Sequence, residues 1–359
     1  AYTTLALPFA RVADLADRRK ILAISLGCWS ALTLTCGLAI GFVSLFIARI
    51  GVGIFEAAGQ PTLYALCADR FPRSRGSAAA STLAAGAVLG AMIGVTSGGV
   101  IADSYGWRAA FWVGGIPGML LAPFAYRLLV EPRTPTPFRL SQVFGASMRE
   151  AYAKLLSNPA FRLILLGSMC FSLWYWGSAT WFITFLVRSH GMTLAGAAFG
   201  YGMLSGVSAL LGVLLNGFIG DRLVNRDARW LAWVPAVAAL ACLAFAVPIY
   251  LVPNGTVALT LYMICSVFSG VMIPGQIAAV YALSGSARAA GVAALNFCNY
   301  LIGMVVAAAA VGALSDALES TRGVHSLATS LLLITAALPA AAVLFLRSTR
   351  FFSGATDRV

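Results

Sequence analysis

Residues 42–68 read FVSLFIARIGVGIFEAAGQPTLYALCA. A helix needs about 20 predominantly apolar residues to cross a bilayer, and this run is long enough. It carries two charges well inside it, Arg49 and Glu56. Their spacing puts them two turns apart and about 20° apart around the helix, on one face. A charge at that depth costs roughly 3 kcal/mol on insertion scales and ordinarily turns to a bundle interior or a watery cavity. The pair is separated by about 10 Å of helical rise. Direct contact therefore requires the long side chains to reach along the helix, or a residue of a first helix not in this chain to bridge them.

No other predicted span holds a charge so deep. The chain has 359 residues, 60% hydrophobic and 10% charged, with a mean hydropathy of +0.88. A soluble domain carries about 25% charged residues, so composition alone indicates a membrane protein. Apolar runs predict spans near 21–41, 42–68, 77–101, 107–130, 161–187, 193–219, 230–251, 257–283, 286–314 and 324–346. Ala1–Ala10 is too short to span and reads as the end of a further helix. With no Met at position 1 and no signal peptide, the sequence reads as truncated at its N-terminus.

The net charge of +12 is explained by topology. Alternate loops hold Arg11, Arg18, Arg19 and Lys20; Arg70, Arg73 and Arg75; Arg127, Arg133, Arg139, Arg149, Lys154 and Arg162; Arg222, Arg226 and Arg229; Arg288; and Arg347, Arg350 and Arg358. The opposite loops hold only Arg108, Arg188 and Arg322, leaving Arg49 without a loop. By the positive-inside rule the crowded side is cytoplasmic, and no nucleic-acid partner is implied. Twenty-two arginines against two lysines, with abundant Ala, suggest a bacterial source and the bacterial inner membrane.

Enzyme signatures are missing. The seven cysteines are scattered singly through the spans and read as small apolar packing residues. His190 and His325 lie near helix ends on the outer side, away from any acid or cysteine cluster, so no metal site is expected. No GxxxxGK loop occurs. Neither a cofactor nor catalysis is expected.

The longest polar stretch, Glu131–Asn158, opens with Pro132, Pro135 and Pro137 and reads as a linker. Within it Ser141–Leu156 could form a helix on the cytoplasmic surface. The segments on either side echo each other. Arg75 and Arg288 are 213 residues apart, as are Asp103 and Asp316 in Gly99-Val-Ile-Ala-Asp103 and Gly312-Ala-Leu-Ser-Asp316. The loop carrying Asp14, Arg18 and Arg19 likewise matches that carrying Asp221, Arg222 and Arg226. Parallel duplicated six-helix halves are a recurrent transporter plan. The expected organisation is an N-terminal bundle at 1–130, a cytoplasmic linker at 131–160, a C-terminal bundle at 161–347 and a tail at 348–359.

The stretch Gly217-Phe-Ile-Gly-Asp221-Arg222-Leu-Val-Asn-Arg226 resembles the loop signature of the major facilitator superfamily. Its first-half copy, Ala10-Arg-Val-Ala-Asp14-Leu-Ala-Asp17-Arg18-Arg19-Lys20, has Ala10 where the family has Gly and Leu15 where it has Arg. Three further groups of residues look like the spinster-like branch of that family. They are Trp29-Ser30-Ala-Leu-Thr33 with Ala48-Arg49 through Glu56 to Pro61; Asp69-Arg-Phe-Pro72-Arg-Ser-Arg75-Gly; and Gly98-Gly99 with Gly106-Trp107-Arg108-Ala-Ala-Phe111. This resemblance covers most of residues 8–125; the second half matches the superfamily only generically.

The resemblance implies an all-α polytopic fold of two six-helix bundles around a central cavity, with the first transmembrane helix absent from this chain. It further implies alternating access, and a cytoplasmic latch built from Asp14 with Arg18 or Arg19 and from Gly217, Asp221 and Arg222. Animal spinster-like proteins carry lysolipids and sphingosine phosphate, while related carriers of sugar acids and organic anions share parts of the first-half pattern.

The residues themselves suggest the chemistry. Arg49 stays charged and can hold a phosphate or carboxylate through both arms of its fork. Glu56, between burial and a nearby cation, is placed to titrate and carry a proton. Softer candidates for lining a cavity are Trp174, Tyr281, Asn296 and Asn299, each of which could equally pack or bond between helices. The stripe Gly86, Gly90, Gly94, Gly98 and Gly99 predicts tight helix packing. The reading is thus a proton-coupled secondary transporter of an amphipathic anionic lipid-like molecule, working as a monomer among membrane lipids. A small organic-anion or drug transporter of the same fold is the alternative, and an uncoupled scramblase or a non-transporting receptor is a third class.

Overall fold

The structure is a computed structural model that describes residues 9, 12, 16–70, 76–131, 146–284 and 288–352. For Gly217, Asp221 and Tyr281 it describes the backbone alone. Every regular element among the described residues is helical, and eight helical segments are long and apolar enough to cross a membrane. That is the form a chain must take in hydrocarbon, where each helix satisfies its own backbone groups. The chain divides into two compact units, Ala1–Ala146 and Ser147–Val359.

In the first unit, α1 (Arg18–Gly37) lies between α2 (Phe42–Arg70) and α4 (Trp107–Leu128), while α3 (Gly76–Tyr105) packs on α4 and α2. Glycines bring α1 and α4 together. A methyl group added at Gly115 would meet Leu34 and the Ser30 carbonyl, one at Gly118 the Ser30 hydroxyl, and one at Gly37 the Trp112 indole. The turn from α3 to α4 is Gly106 at φ +82°, a conformation that a Cβ disfavours. Arg108 then ties α4 to the α1–α2 turn: its Nη2 donates to the Ala39 carbonyl at 3.0 Å, and its guanidinium lies 4.3 Å over the Trp107 ring. The glycine stripe of α3 departs from expectation. A methyl group at Gly86, Gly90, Gly94 or Gly98 would meet no described atom within 4 Å. Small residues permit close approach without supplying a partner, and α2 and α4 meet α3 elsewhere on its surface.

The second unit begins in α5 (Ala146–Ser157), which overlaps the stretch Ser141–Leu156 expected to form a surface helix, and continues into α6 (Pro159–His190). Asn158 caps α6 by accepting from the Ala160 amide at 2.9 Å, and Gly191 ends it at φ +65°, a left-handed cap. The next rod joins α7 (Leu194–Phe199), a π segment at Gly200–Ser205, and α8 (Gly206–Arg226). After α9 (Trp230–Ile249) and α10 (Gly255–Ser284), a second rod joins α11 (Arg288–Tyr300), a π segment at Leu301–Ala307, and α12 (Ala308–Arg322). A short 3-10 turn leads to α13 (Ser326–Ile334) and α14 (Ala337–Ser348). The core of this unit includes Phe161, Phe182, Phe185, Met272, Leu295, Leu331 and Phe345, all essentially inaccessible. Phe182 stacks on Tyr262 with ring centroids 4.0 Å apart.

Helices α8 and α10 meet backbone to backbone. A Cβ at Gly212 would overlap the Val267 carbonyl, and one at Gly270 the Ala209 carbonyl. Asn216 Nδ2 donates to the Val271 carbonyl at 3.1 Å beside them. Because the obstructing atoms are backbone, they cannot rotate away. Gly212→Ala and Gly270→Ala should each destabilise the protein by about 1–3 kcal/mol. Gly94→Ala should be neutral or slightly stabilising, since alanine suits a helix better. Thermal unfolding of the detergent-purified protein checks this; equal melting of all three variants would show that the α8–α10 contact is not made at these glycines.

Candidate functional site

Helix α2 has three distinct sides. Gly51 and Gly59 face α1, where added methyl groups would press on Leu32 and Trp29. Phe42, Val43, Phe46, Ile47 and Ile50 form an exposed apolar side, as lipid contact requires. Arg49 and Glu56 occupy the remaining third, roughly 110° round from the glycines on an ideal helix. Between them Val52 is buried with Ala48 and Cys36, in a small core flanked by Trp29, Leu32, Leu45 and Phe111.

Both charged side chains are exposed on the surface of their unit. Among the described residues neither makes a hydrogen bond or an ion pair, although the charge of Arg49 acts on both Glu56 and Cys36. The arrangement is an open pair: a guanidinium and a carboxyl on one face, near enough to influence each other, with their hydrogen-bonding positions available. A fixed buried ion pair would have used those positions for packing.

The described part of the first-half latch is a helix start. Asp17 caps α1, accepting from the amides of Arg19 at 3.0 Å and Lys20 at 3.4 Å. The same carboxylate takes the Arg19 guanidinium at 3.3 and 3.1 Å. Glu131, just beyond α4, accepts from the Arg18 amide at 2.8 Å, so carboxylates meet three consecutive amides at the positive end of α1. Arg18 is only 2% exposed. Asp14, expected to hold Arg18 or Arg19, lies outside the described residues, and the carboxylate that holds Arg19 is Asp17. An Asp directly before an apolar helix is a cap signal that the latch reading passed over. Burial of the Asp17 carboxyl works to raise its pKa, but hydrogen bonds from the Arg19 side chain and from the Lys20 and Arg19 amides outweigh it, and the pKa falls below the ordinary value.

The second-half signature is helical. Gly217, Asp221 and Arg222 lie in the last turns of α8, which runs to Arg226, where the sequence suggested a loop between spans. Arg222 and Arg226 are exposed, four residues apart and so on one face.

The softer candidates lie in the second unit and are differently placed. Trp174 is 1% exposed and edge-on to Phe171 at 5.8 Å. On α11, Asn296 is exposed. Asn299 has an enclosed, unpartnered Oδ1, while its carbonyl accepts from Ser172 Oγ at 3.1 Å. Tyr281 lies on α10, its side chain outside those described. Sequence reasoning missed a cluster of aromatic rings drawn from α6, α10, the cap residue that ends α9 and a π segment. Tyr250 Oη donates to Ser178 Oγ at 2.8 Å, Phe185 meets Tyr250, and Tyr201 and Tyr262 both pack on Phe182. Phe182 and Phe185 share the aromatic-rich α6, but Tyr201, Tyr250 and Tyr262 come from other segments, so only tertiary contact reveals the group.

Comparisons with known proteins agree on one family. The profile described as Major Facilitator Superfamily matches residues 1–308. The chain is 30% identical over 338 residues to an MFS-type efflux pump of Mycolicibacterium smegmatis, covering 94% of this chain and 78% of that protein. It is 27% identical over 268 residues to a probable galactarate/D-glucarate transporter of Bacillus subtilis, covering 67% of this chain and 58% of that protein. Its fold is similar to the crystal structure of a bacterial homologue of the human lysosomal transporter Spinster, in an inward-facing, unoccupied conformation. That match has a TM-score of 0.84 and 23% identity, and covers 98% of this chain and 87% of the other.

The Asp17 cap yields a test with a definite sign. Asp17→Ala removes one cap and one ion pair and should cost about 1 kcal/mol at neutral pH. Because folding lowers this pKa, the stabilisation is present above the unfolded value of about 3.9 and is lost as pH falls through the folded one. The difference in melting temperature between wild type and variant should therefore narrow below about pH 4. A difference independent of pH would assign the effect to packing instead of charge.

Proposed function

The chain belongs to the Major Facilitator Superfamily, and from that premise we propose that it is a proton-coupled secondary transporter of an amphipathic anionic, lipid-like substrate. That it is a multi-pass membrane transporter follows from the family; coupling and substrate are the proposal. The observation that carries it is the open pair on α2. Two charges on a membrane-spanning helix, neither bonded to any other described residue, are costly to keep, and their chemistry suits transport. Arg49 would engage the anionic group of the substrate with its fork. Glu56 would take up and release the proton, its carboxyl responding to the cation beside it.

In this reading the two halves of the chain rock against each other in alternating access. Asp14 with Arg18 or Arg19, and Asp221 with Arg222, would help to close the basic side. Asn299, with an enclosed oxygen in want of a donor, and the exposed Asn296 one turn before it are the polar groups of the second half best suited to meet substrate. Trp174 would shape the wall from within the core, and Tyr281 is retained as a further lining residue.

A small organic-anion or drug transporter is the second reading. The similarity to an efflux pump and to a probable sugar-acid transporter favours it, and an arginine fork serves a sugar acid as well as a lipid phosphate.

Reconstituted vesicles distinguish these readings. Accumulation of a lysophospholipid under an imposed proton gradient supports the first, and accumulation of a sugar acid with no lipid movement supports the second. Equilibration independent of the gradient overturns coupling altogether. Glu56→Gln should abolish pH-dependent transport while the protein melts normally; loss of folding would instead assign Glu56 to structure. Arg49→Lys should weaken recognition of an anionic substrate by roughly tenfold, the scale of one bidentate charged contact, and unchanged affinity would remove Arg49 from binding.

A further inference from the structure

On the basic side of the first unit, an apolar groove runs between α1 and α4. It is lined by Lys20, Ala23, Ile24, Ala122, Pro123 and Tyr126, with a volume of about 320 Å³. The Lys20 ammonium and the Tyr126 hydroxyl are the only polar side-chain groups in this lining. Ile24 is 59% exposed and Phe124, beside Pro123, 56% exposed, so the groove opens onto a surface suited to acyl chains. Arg127 lies in the last turn of α4, one turn beyond Pro123 and next to Tyr126, and is itself exposed.

The nearby charges divide into used and unused. Arg19 is committed to Asp17, and its guanidinium lies 5.7 Å over the Tyr126 ring, bracing that wall. Asp17 is taken up by this pair and by the α1 amides, while Glu131 receives the Arg18 amide. Among the described residues, the side chains of Lys20 and Arg127 make no hydrogen bond or ion pair. Two available cations, Lys20 in the first turn of α1 and Arg127 in the last turn of α4, therefore stand at the helix ends beside an apolar groove.

We infer that this groove binds an anionic phospholipid of the basic-side leaflet, its phosphate between Lys20 and Arg127 and part of one acyl chain along Ile24, Ala122 and Pro123. Charge complementarity identifies the headgroup, and the apolar wall identifies the chain. A soluble anion would use only the cations. Neither Arg49 nor Glu56 lines the groove, so the inference goes beyond the transport reading.

Native mass spectrometry of the detergent-purified full chain, titrated with phosphatidylglycerol and with phosphatidylcholine, tests it. Wild type should bind phosphatidylglycerol the more tightly. The double variant Lys20→Gln with Arg127→Gln should bind it roughly thirtyfold more weakly, about five- to sixfold per cation, with phosphatidylcholine binding unchanged. Lys20→Arg with Arg127→Lys keeps the charges and should keep the binding, separating charge from any effect on folding. Ile24→Trp, which fills the groove, should weaken both lipids. Glu56→Gln should alter neither, so that this site and the transport site fail separately. Equal binding of the two lipids by wild type, unchanged phosphatidylglycerol binding in the double glutamine variant, or full displacement by inorganic phosphate would overturn the inference.

Discussion

A peptide group in hydrocarbon has no water to bond with, so each span must satisfy its own backbone along its length and settle its ends where the bilayer stops. The chain meets this demand with short polar side chains and glycines at the boundaries. Asp17 and Glu131 cover the first amides of α1, Asn158 those of α6, and Asn254 accepts from Thr256 and Val257 at the start of α10. Once the ends are satisfied, side-chain hydrophobicity no longer selects neighbours, because lipid tails are as apolar as leucine. Packing then depends on close approach at glycines and on a few directed bonds, such as Trp181 Nε1 donating to the Ala308 carbonyl at 2.9 Å. Against this background, charges that serve neither purpose are conspicuous. Among the described residues, Arg49, Glu56, Lys20 and Arg127 are of that kind.

Much of the fold was legible because membrane spans depend on length and apolarity, both of which are local. The predicted spans at 42–68, 107–130 and 230–251 correspond to α2, α4 and α9. The helical phase that placed Arg49 and Glu56 on one face needed only counting. What counting could not supply was the third dimension. The glycine spacing of α3 had the signature of a packed face and proved to be bare in its unit. The glycines that set helix contact were Gly115, Gly118, Gly212 and Gly270, which nothing in the sequence marked out. The aromatic group around Phe182 was illegible for the same reason, since the tyrosines that meet α6 come from other segments of the chain.

The charged loops were partly legible. Their sidedness follows from composition, yet the partner of a given cation depends on where a neighbouring helix ends. Arg19 stands close in sequence to two aspartates, and the helix start decides for Asp17, whose carboxylate is already aimed at the α1 amides. Glu131 is distant in sequence from Arg18 and becomes its neighbour only because α4 returns to the side where α1 begins.

The two π segments, Gly200–Ser205 and Leu301–Ala307, alter what periodicity means in the second unit. Each such turn takes in an additional residue, and one residue of helix is worth about 100° of rotation. Everything beyond Ala307 is thus turned by more than a quarter of a revolution from where uninterrupted counting from Asn296 or Asn299 would put it. The amino-terminal and carboxy-terminal halves of each rod keep separate angular phases, so substitutions in one half are free of the facing constraints that govern the other.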